Sequence, residues 1–552
     1  MRRGVPVLAA ALSLSCAPPR GAKPAGETPP PPAGTPPAAP SCRDAWAHLP
    51  APRRTYDFAT DAIRTAQGNE GYQAFSERLP RRACRKAWTV LIAMAADNDD
   101  MPPYAYWHLN EMEAAFNDPG RSAASTIDAD VIVELDLDAP PGIRRLHMFR
   151  APVAYAPDAV FPSGLRAELA ERTPADIQSP VITLLDEEET IPPAESLKRF
   201  LSWGVEAYPS ERYLVVVWGH GLGWRPAGLD RNQYAPGDLR GGIAFDHSQG
   251  TVLDTPGLHG ALAAASRTEL AGRPFDIYAS DACLMQSLEV AAELTPVSRY
   301  IVGSEQIEDY LGFPYRTFLP RLNGTAAPLP SPPGCAERDS ACRAAALLPA
   351  LQREAFAEGG LYARASPEAS ETFTLSALDT AALEGALRPA LGELSGAIAA
   401  YVREEPLRRI DLQVLLDVPR TVSGPGHGTP GFLGGTRDLG VFLSGLRASV
   451  QEDAELSPEG LSPAAARLAR AVDATEAALH RTVLAAAFGA RYQTERYAGM
   501  AGVSVWLPHN GPELERRIDF FASSRLYALP RPGAIAWQSW LEAVFSTTGV
   551  GD

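Results

Sequence analysis

Two short stretches carry residues whose types could do chemistry together. In "YLVVVWGHGLGW" (213–224) an apolar run ends at Gly219-His220-Gly221. In "FDIYASDACLMQS" (275–287) a second run ends at Ser280-Asp281-Ala282-Cys283. A thiol becomes a nucleophile as thiolate, and a nearby imidazole helps to form it and then supplies a proton to the leaving group. The pair is diagnostic only if the fold brings both ends to one place.

The cysteine count sets Cys283 apart. Six cysteines occur, at 16, 42, 84, 283, 335 and 342. Cys335 and Cys342 bracket the polar "CAERDSAC", where a disulfide closes easily. Cys42 and Cys84 could pair likewise, although spacing does not fix connectivity. With Cys16 assigned to lipidation, as argued below, Cys283 is left over. A free thiol in an exported chain is either buried and inert or kept for its reactivity.

The elements that must position these residues read as strand and helix in alternation. Apolar runs occur at Trp88–Ala95, Val131–Leu137, Val181–Leu185, Tyr213–Trp218, Phe275–Ala279 and Tyr300–Val302, several rich in Val and Ile. Such runs are the mark of buried strands. Between them, "AESLKRFLSWGVEAY" repeats Leu197, Phe200, Leu201 and Val205 at helical spacing, and "TPGLHGALAAASRTEL" reads as a second helix. Alternation of this kind predicts a mainly parallel sheet covered on both faces. Sites in such sheets form at the carboxyl ends of the strands, where His220 and Cys283 fall. The residues after Cys283 (Leu284, Leu288, Ala291, Ala292) predict a helix with Cys283 at its N-terminus, where the macrodipole favours thiolate.

Other constellations are weaker. The chain has no H-E-x-x-H, C-x-x-C, P-loop or G-x-S-x-G. "ADNDD" (96–100) is acidic, but Pro102 stands where an EF-hand loop needs glycine. "GPGHGTPGFLGG" (424–435) reads as a surface loop, and His247 as a hairpin-tip residue. A formal charge of −16 argues against nucleic-acid binding, which wants a basic face. The composition is that of a globular protein, 45% hydrophobic and 21% charged.

The N-terminus reads as an export signal. Met1-Arg2-Arg3 precedes an apolar run from Val5 to Leu14, then Ser15-Cys16. The run is too short to span a bilayer as a mature helix. Ser15 before Cys16 suggests a lipoprotein signal over residues 1–16 with Cys16 lipidated; ordinary cleavage nearby is the alternative, and Ser13 stands where such signals prefer leucine. Residues 17–50 form a Pro-rich linker, extended at roughly 3.1 Å per residue where proline repeats. The expectation is a cell-envelope protein, an outer-membrane lipoprotein, held to a membrane by its lipid.

At this point the residues resemble a family, the clostripain-type cysteine peptidases, which have the caspase fold. The resemblance is carried by "WTVLIAMAADND", ending at Asp97-Asn98 and Asp99, by "HLNEME", "VVVWGHGLGW" and "SDACLMQSLEVAAEL", and by "YIVGSEQIEDYLGFPY". "TFTLSALD" (372–379) and "GVSVWLP" (502–508) are similar late pieces. Gly303, Gln306 and "IEDYLG" depart from the family pattern. The resemblance implies an α/β fold: a caspase-like, mainly parallel sheet flanked by helices in a catalytic region over 51–330, and a largely helical C-terminal region, 331–552, that adds late strands. It implies catalytic His220 and Cys283, with the N–H groups of Gly221 and Cys283 as oxyanion hole and the strand around Ser304 pairing with substrate backbone. It places Asp281 in the pocket that selects Arg or Lys, where a desolvated carboxylate suits a guanidinium; the alternative is that Asp281 caps the helix after it.

The implied function is an endopeptidase cutting after Arg or Lys in protein or peptide substrates. It needs no cofactor for the chemistry, with calcium and any metal ligands left open. The alternative is an anchored binding protein that keeps the fold without turnover. Between the two strands, "RPAGLDRNQYAPGDLRGG" (225–242) is expected to be an exposed loop. Its Arg225, Arg231 and Arg240 make it a candidate for self-cleavage, as in related enzymes; an unprocessed insertion is the alternative.

Overall fold

The computed structural model of the chain describes residues 54–57, 62–70, 75–76, 85–98, 100–115, 129–138, 142–148, 177, 179, 181–185, 191–225, 241–322, 334–405, 412, 415–416, 436–456, 460–508, 510–527 and 537–545. The signal, Cys16, the Pro-rich linker, the Cys42 and Cys84 pairing and the 424–435 loop lie outside them.

Among the described residues, thirteen strands form one sheet. Its centre is parallel. Lys86–Ala95 pairs in parallel with Ala129–Leu137 on one side and Ser210–Trp218 on the other. Ser210–Trp218 then pairs with Phe275–Asp281, and that strand with Ser298–Gly303. Antiparallel strands extend both flanks. Gly142–His147 and Val181–Leu185 continue one of them. Thr374–Asp379 and Val483–Phe488 continue the other, so the sheet runs unbroken past residue 330.

The central strands are apolar on both faces because both faces are covered. Along Ser210–Trp218, Val215 and Val217 enter one core while Leu214 and Val216 enter the other. Leu91 alternates with Val90 and Ile92 in the same way. Pro102–Ala115, Tyr315–Leu322 and Ser340–Phe356 cover one face; Pro193–Ala207, Thr255–Glu269 and Leu288–Leu294 cover the other. The helices read from sequence at Leu197–Val205 and from Thr255 onward are both present. Asp254 caps the latter by accepting from the N–H of Gly257.

Late helices, Arg388–Glu404, Leu439–Leu456, Pro463–Thr482 and Trp537–Phe545, join the second core. They tie back to the cysteine segment: buried Glu289 accepts from the N–H of Trp506 at 2.8 Å. The C-terminal part thus braces the helix that follows the nucleophile candidate. Cys335 and Cys342 form a disulfide, and Cys283 is free.

One local expectation fails. The helix after Cys283 begins at Leu288, five residues later than its apolar spacing suggests. Leu284 adopts a left-handed φ of 66°, which no helix accommodates. The N–H groups of Leu284 and Gln286 donate to the carbonyls of Gln306 and Ser304 instead of to a helical turn. Ser287 is the cap, accepting from Val290. Cys283 therefore gains nothing from a macrodipole, and Asp281 caps no helix.

Candidate active site

Parallel register brings the two strand ends together. Trp218 stands opposite Asp281, and the next residue, Gly219, donates its N–H to the Asp281 carbonyl at 3.2 Å. The chain then passes so close to the cysteine turn that a Cβ on Gly221 would lie 2.4 Å from the Cys283 carbonyl oxygen. Only glycine fits there. A hairpin, Ile243–Asp246 and Thr251–Leu253, closes the side: Ala244 donates to the carbonyl of His220, and His247 at its tip donates to that of Asp97.

These segments line a cavity of about 370 Å³, a size that suits a side chain or small ligand. His220, Gly221, Asp281 and Cys283 all face it, with Met101 and Trp218 among the apolar walls. Ser304 does not. It has no exposed surface, and its hydroxyl is bonded to the Gln306 carbonyl and to Thr374 Oγ1 at 2.8 Å. The strand leading to it is already paired on both edges, by Phe275–Asp281 and Thr374–Asp379. The expectation that this strand receives substrate backbone is corrected: both of its ladders are occupied by the protein itself.

The thiol of Cys283 lies beneath the segment Ile307–Tyr310, and the residue is partly buried. The N–H of Glu308 donates to Cys283 Sγ at 3.2 Å, and the S–H faces the Glu308 carbonyl at 3.7 Å. Burial pushes its pKa up to about 12. His220 is more open, its side chain 34% exposed, and its Nε2 lies 3.0 Å from Asp100 Oδ1.

Three carboxylates that sequence reasoning treated unevenly meet here. Asp281 is buried; its oxygens accept from the N–H of Phe313 at 3.1 Å and from the Tyr315 hydroxyl at 2.7 Å. Desolvation raises its pKa against those two bonds. Gly312, at φ +51°, lies close enough that a Cβ there would sit 2.6 Å from Asp281 Oδ1. Glu308 was missed. It lines the cavity, and neither of its buried carboxylate oxygens makes a hydrogen bond of good geometry, the nearby N–H of Ala282 favouring the charged form only in part. Desolvation, with the nearby Asp281 charge next in importance, holds its pKa well above the ordinary value. Asp309 also lines the cavity and is anchored by Ser366 Oγ. The acid-rich run Glu305-Gln306-Ile307-Glu308-Asp309 was the available signal, but only the fold shows that Glu308 and Asp309 line the cavity while Glu305 is buried away from it.

Asp97 and Asn98 serve the loop. Asp97 accepts from the N–H and Oγ of Ser248, and Asn98 Oδ1 accepts from the N–H of Met101. Among the described residues no group of three or more His, Cys, Asp or Glu side chains is placed to hold a metal. Arg225 is a further correction: it is buried, its N–H bonded to Thr255 Oγ1 and its carbonyl to the N–H of Thr255, so it is not an exposed cleavage point. Arg231 and Arg240 lie outside the described residues.

Residues 94–331 match the model of the clostripain family of peptidases, C11. This region belongs to the clostripain family. The chain is accordingly a cysteine-type peptidase, a class whose chemistry requires no cofactor. Two solved structures are similar. One is a secreted C11 cysteine protease from Bacteroides thetaiotaomicron in complex with an irreversible peptide inhibitor, at 16% identity, covering 82% of this chain and 99% of its own, with a TM-score of 0.45. Another is an inactive zymogen C11 protease from Parabacteroides distasonis, at 16% identity, covering 80% and 98%, with a TM-score of 0.48. No curated protein matches the chain. The clostripain-family region contains both strand ends of the cavity and the Ile307–Tyr310 segment over the thiol. Among the described residues no helix is long and apolar enough to cross a membrane.

Proposed function

We propose that the chain is an exported endopeptidase that hydrolyses peptide bonds after Arg or Lys through a His220–Cys283 dyad. One observation carries the reading: among the described residues, His220 and Cys283 share a cavity with the acids Asp281, Glu308 and Asp309, and with no Lys or Arg. A buried carboxylate without a well-placed partner is costly, and a guanidinium or ammonium entering the cavity would relieve it. Glu308 is the acid best placed for that task, since both oxygens of Asp281 are already bonded.

In this reading His220 takes the Cys283 proton and the thiolate attacks the scissile carbonyl. The N–H groups of Gly221 and Cys283 face the developing oxyanion. The imidazolium gives its proton to the leaving amine, and water activated by the same ring hydrolyses the thioester. Substrate must first displace the Ile307–Tyr310 segment enough to free the thiol. Export with a lipid on Cys16, and a linker over 17–50 ahead of the catalytic part, complete the proposal; they rest on the N-terminal sequence alone.

The test is labelling with a peptidyl chloromethyl ketone ending in Arg, beside one ending in Leu. The Arg reagent should modify Cys283 once and stop hydrolysis of Arg peptides, while the Leu reagent reacts far more slowly. A chain that binds basic peptides but never labels at Cys283 would support the binding protein without turnover and sink the dyad.

A further inference from the structure

Asp100 has no role in the scheme above, yet its carboxylate touches the base. Oδ1 lies 3.0 Å from His220 Nε2, and Oδ2 accepts from the Tyr310 hydroxyl at 2.7 Å. One bond per oxygen fixes both the position and the plane of the carboxylate. Tyr310 is itself held. Its ring stacks on Tyr104 with centroids 4.2 Å apart and planes 10° from parallel. Its carbonyl accepts from Nε2 of buried His108, 3.1 Å away, which desolvation keeps neutral with a pKa down to about 3. The chain of contacts runs His220–Asp100–Tyr310–Tyr104, joining the loop after the first parallel strand to the segment that covers Cys283.

We propose that Asp100 is the positioning residue of His220 and that Tyr310 tethers it. The proposal rests on the reading of His220 as the base. A carboxylate on Nε2 selects the tautomer with the proton on that nitrogen, leaving the Nδ1 lone pair to exchange a proton with the thiol. When the ring accepts that proton, the carboxylate stabilises the imidazolium and keeps it from rotating. The bond from His220 leads the causes that hold the Asp100 pKa below its ordinary value, so the group is ionised at neutral pH. Other candidates for the task are committed elsewhere. Asp97 is bonded to Ser248, Asp309 to Ser366 and the N–H of Leu311, and Asp281 to Phe313 and Tyr315. Among the described residues, the remaining titratable groups that line the cavity are His247, Cys283 and Glu308.

The geometry also gives the tether a second consequence. Tyr310 follows Glu308 and Asp309, so substrate that shifts the covering segment to reach Cys283 also pulls on Asp100. Base and nucleophile are thus coupled through one short segment.

The experiment compares wild type with Asp100→Asn, Asp100→Glu and Tyr310→Phe on an Arg peptide across pH, with the His220 ring followed by 15N NMR. Wild type should show the proton on Nε2, and Asp100→Asn should mix the tautomers. In Asp100→Asn, kcat should fall about tenfold to a hundredfold with KM within about twofold, the pattern of a group that acts on the chemical step. Asp100→Glu should recover part of kcat, and Tyr310→Phe should lose about threefold. Wild-type kcat in Asp100→Asn, with its ring still protonated on Nε2, would overturn the proposal while leaving the dyad intact. A wild-type ring protonated on Nδ1 would overturn it without reference to turnover. Failure of the dyad itself would appear separately, as an Arg chloromethyl ketone that never labels Cys283.

Discussion

The two walls of the cavity are built to different standards. On the histidine wall the groups are open: the His220 side chain is 34% exposed and that of Asp100 47%. On the cysteine wall they are more covered, with Cys283 itself partly buried. Asp281 is 4% exposed, the Cys283 thiol lies under the Glu308 backbone, and burial drives its pKa up to about 12. In the proposed scheme the imidazole is open to water, whereas burial disfavours the thiolate of Cys283 until something moves. That scheme places the control of reactivity on the cysteine wall, in the segment Ile307–Tyr310. The largest test of this contrast is to remove each wall's reacting group. Cys283→Ala should lose about 10⁴-fold or more in kcat/KM, down to background. Its melting temperature should change little, because a small side chain is being trimmed. His220→Ala should be nearly as severe. Hydrolysis surviving in a well-folded Cys283→Ala protein would mean that the covered wall guards nothing.

The same contrast separates what could be read from sequence and what could not. Both strand ends were legible, because Val-rich runs broken by Gly219-His220-Gly221 and by Ser280-Asp281 announce buried parallel strands and where they stop. Helices after Pro192 and Asp254 were legible from their apolar period. The stretch 284–287 was misread: its spacing is helical, but tertiary bonds to Ser304 and Gln306 outweigh local preference. Ser304 was placed on a receiving edge because a sequence does not reveal that a strand 70 residues later, at Thr374, occupies that edge. Asp100 and Glu308 carried no periodic signal at all. Their importance lies in which neighbours the fold gives them.

The cysteine wall holds two acids in opposite states, which yields the next test. Asp281 has a well-formed donor bond on each oxygen, and Glu308 has only the poorly placed N–H of Ala282. If the poorly bonded acid meets the basic side chain, Glu308→Gln should cut kcat/KM for Arg peptides by about 100-fold, as losing one partner of a buried charge pair does. Reaction of Cys283 with small neutral iodoacetamide should change much less. Asp281→Asn should reduce Arg cleavage by about tenfold, because it disturbs the Phe313 and Tyr315 bonds behind the pocket rather than the contact itself. The opposite order, with Asp281→Asn the more harmful for Arg preference and Glu308→Gln silent, would return the specificity role to Asp281.

The smallest effect concerns stability and distinguishes a covered wall from an open one by its response to pH. Beneath the cavity, Glu111 is buried and bonded to the Tyr362 hydroxyl; desolvation lifts its pKa from 4.5 to about 8. Asp281 and Glu308 are raised for the same reason. A carboxyl whose folded pKa exceeds its unfolded pKa stabilises the fold fully below the unfolded value, and that stability is lost as pH rises through the folded value. The denaturant midpoint should therefore fall between pH 4.5 and about 8. Relaxation and water penetration reduce the effect of such shifts, so a loss of about 1–2 kcal/mol is expected. Glu111→Gln should flatten this slope without altering the slope below pH 4, where carboxyls held low by partners, such as Asp100 and Asp339, take their protons. Arg-peptide binding should flatten it too, by giving the acids of the cysteine wall a cation. A midpoint that rises steadily from pH 4.5 to 8 would mean that these acids are solvated, and that the two walls are alike.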